Sequence, residues 1–145
     1  MSKQSFLFDA SSVFALVRDL GGKALDLFQG GSTISLVYYE VGNALWRESF
    51  LLNRISSKEA AKLLRCIFPV IRAMDVLNID DEVLGDAVFS LADKLDITYY
   101  DAAYLAEAKS SDKVLVTDDE KLAKAAVEIG AETLTSKMLR QQVLH

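Results

Sequence analysis

The sequence predicts an α/β fold, a three-layer sandwich with a central parallel sheet of four or five strands flanked by helices. Three observations predict it. The strand candidates are apolar on both faces, which suits strands buried in a parallel sheet. They alternate with helical stretches of roughly 10 to 15 residues, the spacing of βαβ units. The chain has 145 residues, 51% of them hydrophobic and 26% charged, which suits one globular domain spanning residues 1–145.

Residues 4–9 (QSFLFD) read as the first strand, ending in an acid. Ala10–Arg18 and Lys23–Phe28 read as short helices, punctuated by Gly21-Gly22 and Gly30-Gly31. Thr33–Val37 is rich in β-branched residues and reads as a second strand, followed by a helix from Tyr38 to about Asn53. A long helix starts at Ser56, where Ser56 and Glu59 have capping-box spacing, and Pro69 is expected to bend or close it. Val76–Ile79 reads as a short strand, Asp80–Leu95 as an amphipathic helix and Tyr99–Ser110 as another helix. Lys113–Thr117 is a strand, Asp119–Ile129 a helix, and Glu132–Leu134 a last short strand.

Composition excludes several kinds of chemistry. Cys66 is the only cysteine, so no internal disulfide forms, and the chain reads as a cytoplasmic protein of a reducing compartment. The longest apolar runs, such as Val13–Val17, fall far short of the ~20 residues that a membrane helix needs. Asp9 interrupts the apolar stretch that a signal peptide would require. The sole histidine is His145, which rules out a Ser–His–Asp triad and leaves zinc without a nitrogen and sulfur ligand set. No glycine-rich phosphate loop is present. Carboxylate chemistry remains.

In an open parallel sheet, ligands bind beyond the carboxyl ends of the strands. Asp9 closes the first strand, Glu40 lies just after the second, and Asp118 and Asp119 follow Lys113–Thr117 directly. Asp101 opens an alanine-rich helix. Carboxylates gathered on one rim repel unless a cation neutralises them, and all-oxygen donors favour hard cations such as magnesium, manganese or calcium. Each acid also has a plain structural explanation, since Asp9, Asp118, Asp119 and the Thr98–Asp101 pair stand where helix caps stand. Capping does not account for Glu40, which lies inside a helical turn. It also gives no reason for acids to recur at the same end of successive strands.

Glu40, Asn43 and Arg47 are spaced to share one helical face, which makes Asn43 a supporting or phosphate-contacting group. Trp46 is expected in the core or at an interface rather than as a base-stacking platform. The formal net charge of −5, from 21 acids against 16 bases, argues against a nucleic-acid partner on composition alone. Setting aside four acids for a metal brings the balance close to neutral. Lys58, Lys62, Arg65 and Arg72 line up along one helical face. Charge runs are usually solvated faces, and the functional alternative is a contact for RNA phosphates or an acidic partner segment.

Four blocks of this chain resemble the signature blocks of PIN domains, and in particular the VapC-type toxins of toxin–antitoxin pairs. They are FDASSVFAL from Phe8, YYEVGNALWR from Tyr38, TYYDAAYLAEA from Thr98 and LVTDDEKLAKAA from Leu115, in family order and running essentially end to end. The resemblance implies an endoribonuclease dependent on Mg2+ or Mn2+ that leaves 5′-phosphate and 3′-hydroxyl ends. It implies metal-binding and catalytic roles for Asp9, Glu40, Asp101 and Asp119, with Ser11, Asn43 and Thr117 in support. The family pattern of Thr, any residue, then Asp selects Asp119, with Asp118 as the alternative ligand. The resemblance further implies a homodimer and a VapB-type antitoxin partner.

A phosphoryl-accepting receiver domain fits poorly, because Asp9 is followed by Ala-Ser-Ser rather than a second acid. Two further alternatives stay open: a PIN nuclease of RNA processing that has no antitoxin, and an inactive PIN-like binding module.

Overall fold

A computed structural model describes residues 4–143; the terminal His145 lies outside them. Five strands form one sheet: β1 (Phe6–Phe8), β2 (Ser32–Ile34), β3 (Asp75–Leu77), β4 (Val114–Val116) and β5 (Thr133–Leu134). All neighbouring pairs are parallel, in the order β3-β2-β1-β4-β5. Eight α-helices accompany them: α1 (Ala10–Leu20), α2 (Ala24–Phe28), α3 (Leu36–Trp46), α4 (Ser57–Arg72), α5 (Glu82–Leu95), α6 (Tyr99–Ser110), α7 (Glu120–Glu128) and α8 (Ser136–Val143). The α/β class with a parallel sheet is as expected, at five strands.

The double-faced apolar strands have a direct structural cause. Successive side chains of a strand point to opposite faces, so β1 sends Phe8 into one core and Leu7 into the other, both fully buried. Val116 and Leu115 of β4 divide in the same way. Helices α1, α3 and α4 cover the Phe8 face, while α6 and α7 cover the Leu7 face. Along α6, Ala102, Ala103, Leu105 and Ala108 are buried, and the small alanines let this helix lie close on the sheet. Gly31 is required for a similar reason, since a Cβ there would stand 2.8 Å from the Phe8 ring.

Several boundaries differ from the sequence reading. The second strand ends at Ile34, and Leu36 and Val37 belong to α3. Val37 is fully buried on the inner side of that helix, so packing overrides its β-propensity. The capping box at Ser56 is present, with the Ser56 hydroxyl accepting from the Glu59 amide at 3.0 Å. Pro69 does not close α4, which continues to Arg72. The buried Ile67 and Ile71 on either side hold the helix together through the lost hydrogen bond. Trp46 is not in the core; it is 48% exposed and stacks on Phe50 with ring centroids 5.4 Å apart. Helix α8 was not expected at all, because its polar sequence buries only Ser136 and Leu139. No helix among the described residues is long and apolar enough to cross a membrane.

The topology fixes where a ligand can sit. From β1 the chain moves outward through β2 to β3, then crosses back to β4 and continues to β5 on the other side. The switch point therefore lies between β1 and β4, and a crevice opens at their carboxyl ends.

Candidate active site

Asp9 follows β1 and is the N-cap of α1, in an extended conformation that turns its side chain back over the helix end. Its Oδ1 accepts from the Ser12 amide at 2.9 Å and from the Ser11 hydroxyl at 2.8 Å. Its Oδ2 accepts from the Thr117 hydroxyl just beyond β4, so the bond spans the switch point. Asp9 is only 4% exposed. Burial pushes its carboxyl up to about 6, against the hydrogen bonds from Thr117, Ser12 and Ser11 that hold it down.

Thr117 is itself buried and accepts from the Asp119 amide at 3.0 Å, while the Ser11 hydroxyl accepts from the Asp118 amide at 3.0 Å. The loop after β4 is thus tied to the start of α1. The two adjacent acids part ways here. Asp118 accepts from the Ser136 amide at 2.9 Å and so fastens the start of α8. Asp119 caps α7 by accepting from the Leu122 amide at 2.9 Å, and its charge bears on both Glu40 and Asp101.

Glu40 is half-buried on α3. Burial raises its carboxyl above the usual range, and the negative charges of Asp101, Asp9 and Asp119 raise it further. Asp101, in the first turn of α6 after the Thr98 cap, is raised by burial and then by Asp119, with Lys121 opposing. Four acids from four different elements therefore act on one another electrically. Among the described residues, no three Asp, Glu, His or Cys side chains are drawn in closely enough to enclose a cation as they stand. Like charges with nothing between them are expected to stand apart in this way.

Tyr104 was not singled out by sequence reasoning. It is 1% exposed, and its hydroxyl has no hydrogen-bond partner among the described residues. The hydroxyl nonetheless faces Glu40 closely enough to lower the acid's pKa, and burial together with that carboxylate pushes the phenol far upward. An unpaired buried hydroxyl costs stability, so a donor left pointing at a crowded carboxylate marks the site. Its place three residues after Asp101, on the same helical face, was the available signal.

A cleft of about 1330 Å3 opens beside these acids, with Glu40 and Asp119 in its wall and Asp9 and Asp101 outside its lining. Ser11, Asn43 and Asp118 line it as well, whereas Thr117 does not. Asn43 is exposed there, alongside Arg47. Lys58, Lys62, Arg65 and Arg72 are exposed on α4 and do not line the cleft. Its cations are Arg18, Arg47, Arg54, Lys137 and Arg140 instead. Arg18 and Arg54 pair with Asp19 and Glu48. Arg47, Lys137 and Arg140 make no ion pair among the described residues. Acids and unpaired cations thus line one cleft, a surface on which an anion can be held.

No family model matches the chain. It is 35% identical over 137 residues to a Pyrobaculum aerophilum protein named exonuclease VapC9, covering 94% of this chain and 97% of the relative. A ribonuclease VapC3 of the same organism is 35% identical over 120 residues, covering 79% and 89%. A crystal structure of a P. aerophilum protein superposes with a TM-score of 0.77 at 28% identity, covering 98% of this chain and 97% of that one. A DNA-bound VapBC assembly from Salmonella typhimurium shares the fold, with a TM-score of 0.65 at 14% identity and coverage of 92% and 99%.

Proposed function

The chain belongs to the VapC family of PIN-domain toxin nucleases, and we propose that it is a Mg2+- or Mn2+-dependent endoribonuclease whose catalytic set is Asp9, Glu40, Asp101 and Asp119. The observation that carries this reading is the electrical coupling of the four acids. Burial raises Asp9, Glu40 and Asp101, and neighbouring carboxylates raise Glu40 and Asp101 further, a cost that a divalent cation would remove. The donors fit such a cation, being carboxylate oxygens without nitrogen or sulfur. Asp119 is favoured over Asp118 because it fits the family pattern of Thr, any residue, then Asp, and because its charge bears on Glu40 and Asp101.

When bound, the cation supplies a water of lowered pKa and neutralises charge on the phosphodiester. The chain's own residues do the rest. Thr117, Ser11 and the Ser12 amide hold Asp9 in one orientation, and Asp9 is mostly ionised at pH 7. The buried Tyr104 hydroxyl lies near Glu40 without a hydrogen-bond partner among the described residues. Arg47, Lys137 and Arg140 draw the phosphates of the strand into the cleft, with Asn43 beside Glu40 as a further contact.

The proposed partner is a VapB-type antitoxin that covers the cleft of a homodimer. The VapBC assembly among the structural neighbours supports this reading. The test is to incubate a mixed RNA pool with the chain in Mn2+, in EDTA and as the Asp9→Asn variant, followed by end mapping. Internal cuts with 5′-phosphate ends are expected in Mn2+ alone. Stepwise release of mononucleotides from one end would assign exonuclease action instead, and cutting in EDTA would remove the metal from the mechanism.

A further inference from the structure

Beside the acidic cleft lies a smaller slot of about 230 Å3, walled by Ile34, Leu36, Ile79, Tyr39, Tyr99 and Tyr100. Leu36, Tyr39 and Tyr100 line both cavities, so the slot and the cleft are one continuous surface. Tyr39 directly precedes Glu40 on α3, and Tyr100 directly precedes Asp101 on α6. On two separate helices, then, an aromatic ring stands one residue from a site acid. The three rings are 78%, 43% and 58% exposed at Tyr39, Tyr99 and Tyr100, so burial within the fold does not account for them.

We propose that this slot is a base-binding subsite, which takes the unpaired base of a nucleotide adjoining the scissile phosphodiester of single-stranded RNA. The inference rests on the ribonuclease reading above. Three features of the surface select this occupant. No charged residue lines the slot, while the adjoining cleft carries Arg47, Lys137 and Arg140. That division of apolar from cationic surface matches the division within a nucleotide between a flat base and its phosphate. The size also fits, since an apolar cavity of roughly 150 Å3 admits a benzene ring and this slot is larger. Finally, exposed tyrosines are the platforms on which unstacked RNA bases settle, and Ser35 and the phenol hydroxyls add polar edges at which bases can be told apart.

The test measures binding of short single-stranded RNAs to the non-cleaving Asp9→Asn chain by fluorescence anisotropy. Each nucleotide in turn is replaced by an abasic one. One position should weaken binding about tenfold, the scale of a base–aromatic stack, and that position should adjoin the cut mapped with the unaltered chain. Adding Tyr39→Leu and Tyr100→Leu should erase the abasic penalty, whereas Tyr39→Phe and Tyr100→Phe should keep it, because stacking needs the ring and not the hydroxyl. A penalty that is unchanged in the leucine variant, no penalty at any position, or no binding at all overturns the proposal. A leucine variant that turns from dimer to monomer in sedimentation, with its abasic profile unchanged, assigns the slot to a second copy of this chain and equally overturns it. A penalty erased by leucine in a chain that cuts no RNA in Mn2+ upholds the subsite and rejects the nuclease reading.

Discussion

The carboxylates at the sheet's carboxyl edge and the basic row of α4 are both gatherings of like charge, and the fold treats them in opposite ways. Lys58, Lys62, Arg65 and Arg72 come from one helix, stand in water and line neither the cleft nor the slot beside it. Asp9, Glu40, Asp101 and Asp119 come from four elements, and the first three are buried or half-buried with raised pKa values. A helical face that is charged by spacing alone remains solvated. A cluster that needs the whole topology to assemble, and costs stability to assemble, points to a ligand that repays it. The cleft's cations that are unpaired among the described residues are Arg47, just after α3, and Lys137 and Arg140 on α8, so here too distant parts of the chain meet.

The largest expected contrast is in cleavage. Asp101→Asn should lower the rate by roughly two to three orders of magnitude, the scale for losing one group that stabilises charge in the transition state. A quadruple Lys/Arg→Gln variant of the α4 row should stay close to the unaltered chain in the same Mn2+ assay. Equal losses in the two variants would break the contrast.

Next comes stability without metal. The Asp9 carboxyl rises from 3.8 to about 6 on folding, so the folded chain holds this proton more tightly than the unfolded one. Its stabilising contribution is complete below about pH 4 and is lost as pH rises through about 6. Asp9→Asn should therefore be more stable than the unaltered chain at pH 7 in EDTA, by on the order of 2–3 kcal/mol. Urea titrations should show that gap closing near pH 4, and Mn2+ should reverse it at pH 7 by stabilising only the chain that keeps its carboxylate.

Smaller effects sharpen the picture. Tyr104→Phe removes a buried hydroxyl that lacks a partner, and should raise metal-free stability by about 1 kcal/mol. A loss of that size would instead mean that the hydroxyl is bonded to Glu40 in solution. For RNA binding, Arg47→Gln or Arg140→Gln should each reduce the slope of log K against log salt by about 0.7, the value for one phosphate contact on a single strand. The α4 row should leave that slope unchanged.

Much of the site was legible because its acids stand at strand ends and helix starts, which pattern and capping rules locate. Asp9, Asp119 and the Thr98–Asp101 pair do serve as caps or capped positions. Capping and a shared site are compatible explanations, since a cap's geometry also fixes which way its acid points. Helix α8 was hidden because eight mostly polar residues carry little periodicity, and with it went Lys137 and Arg140. Tyr104 was hidden because an aromatic in an alanine-rich helix reads as core, which it is, and only the unpaired hydroxyl near Glu40 sets it apart.

The order of apolar runs and breakers along this chain was enough to determine a parallel α/β sheet with acids at its carboxyl edge, because side-chain periodicity and strand-end position are local properties. Only the tertiary structure decided that Asp119 rather than Asp118 acts on Glu40 and Asp101, that Asp9 is bridged to Thr117 across the sheet, and that the cleft's cations are not those of α4. Those outcomes depend on distances between residues far apart in the chain, and such distances are set by how buried faces pack rather than by any local pattern.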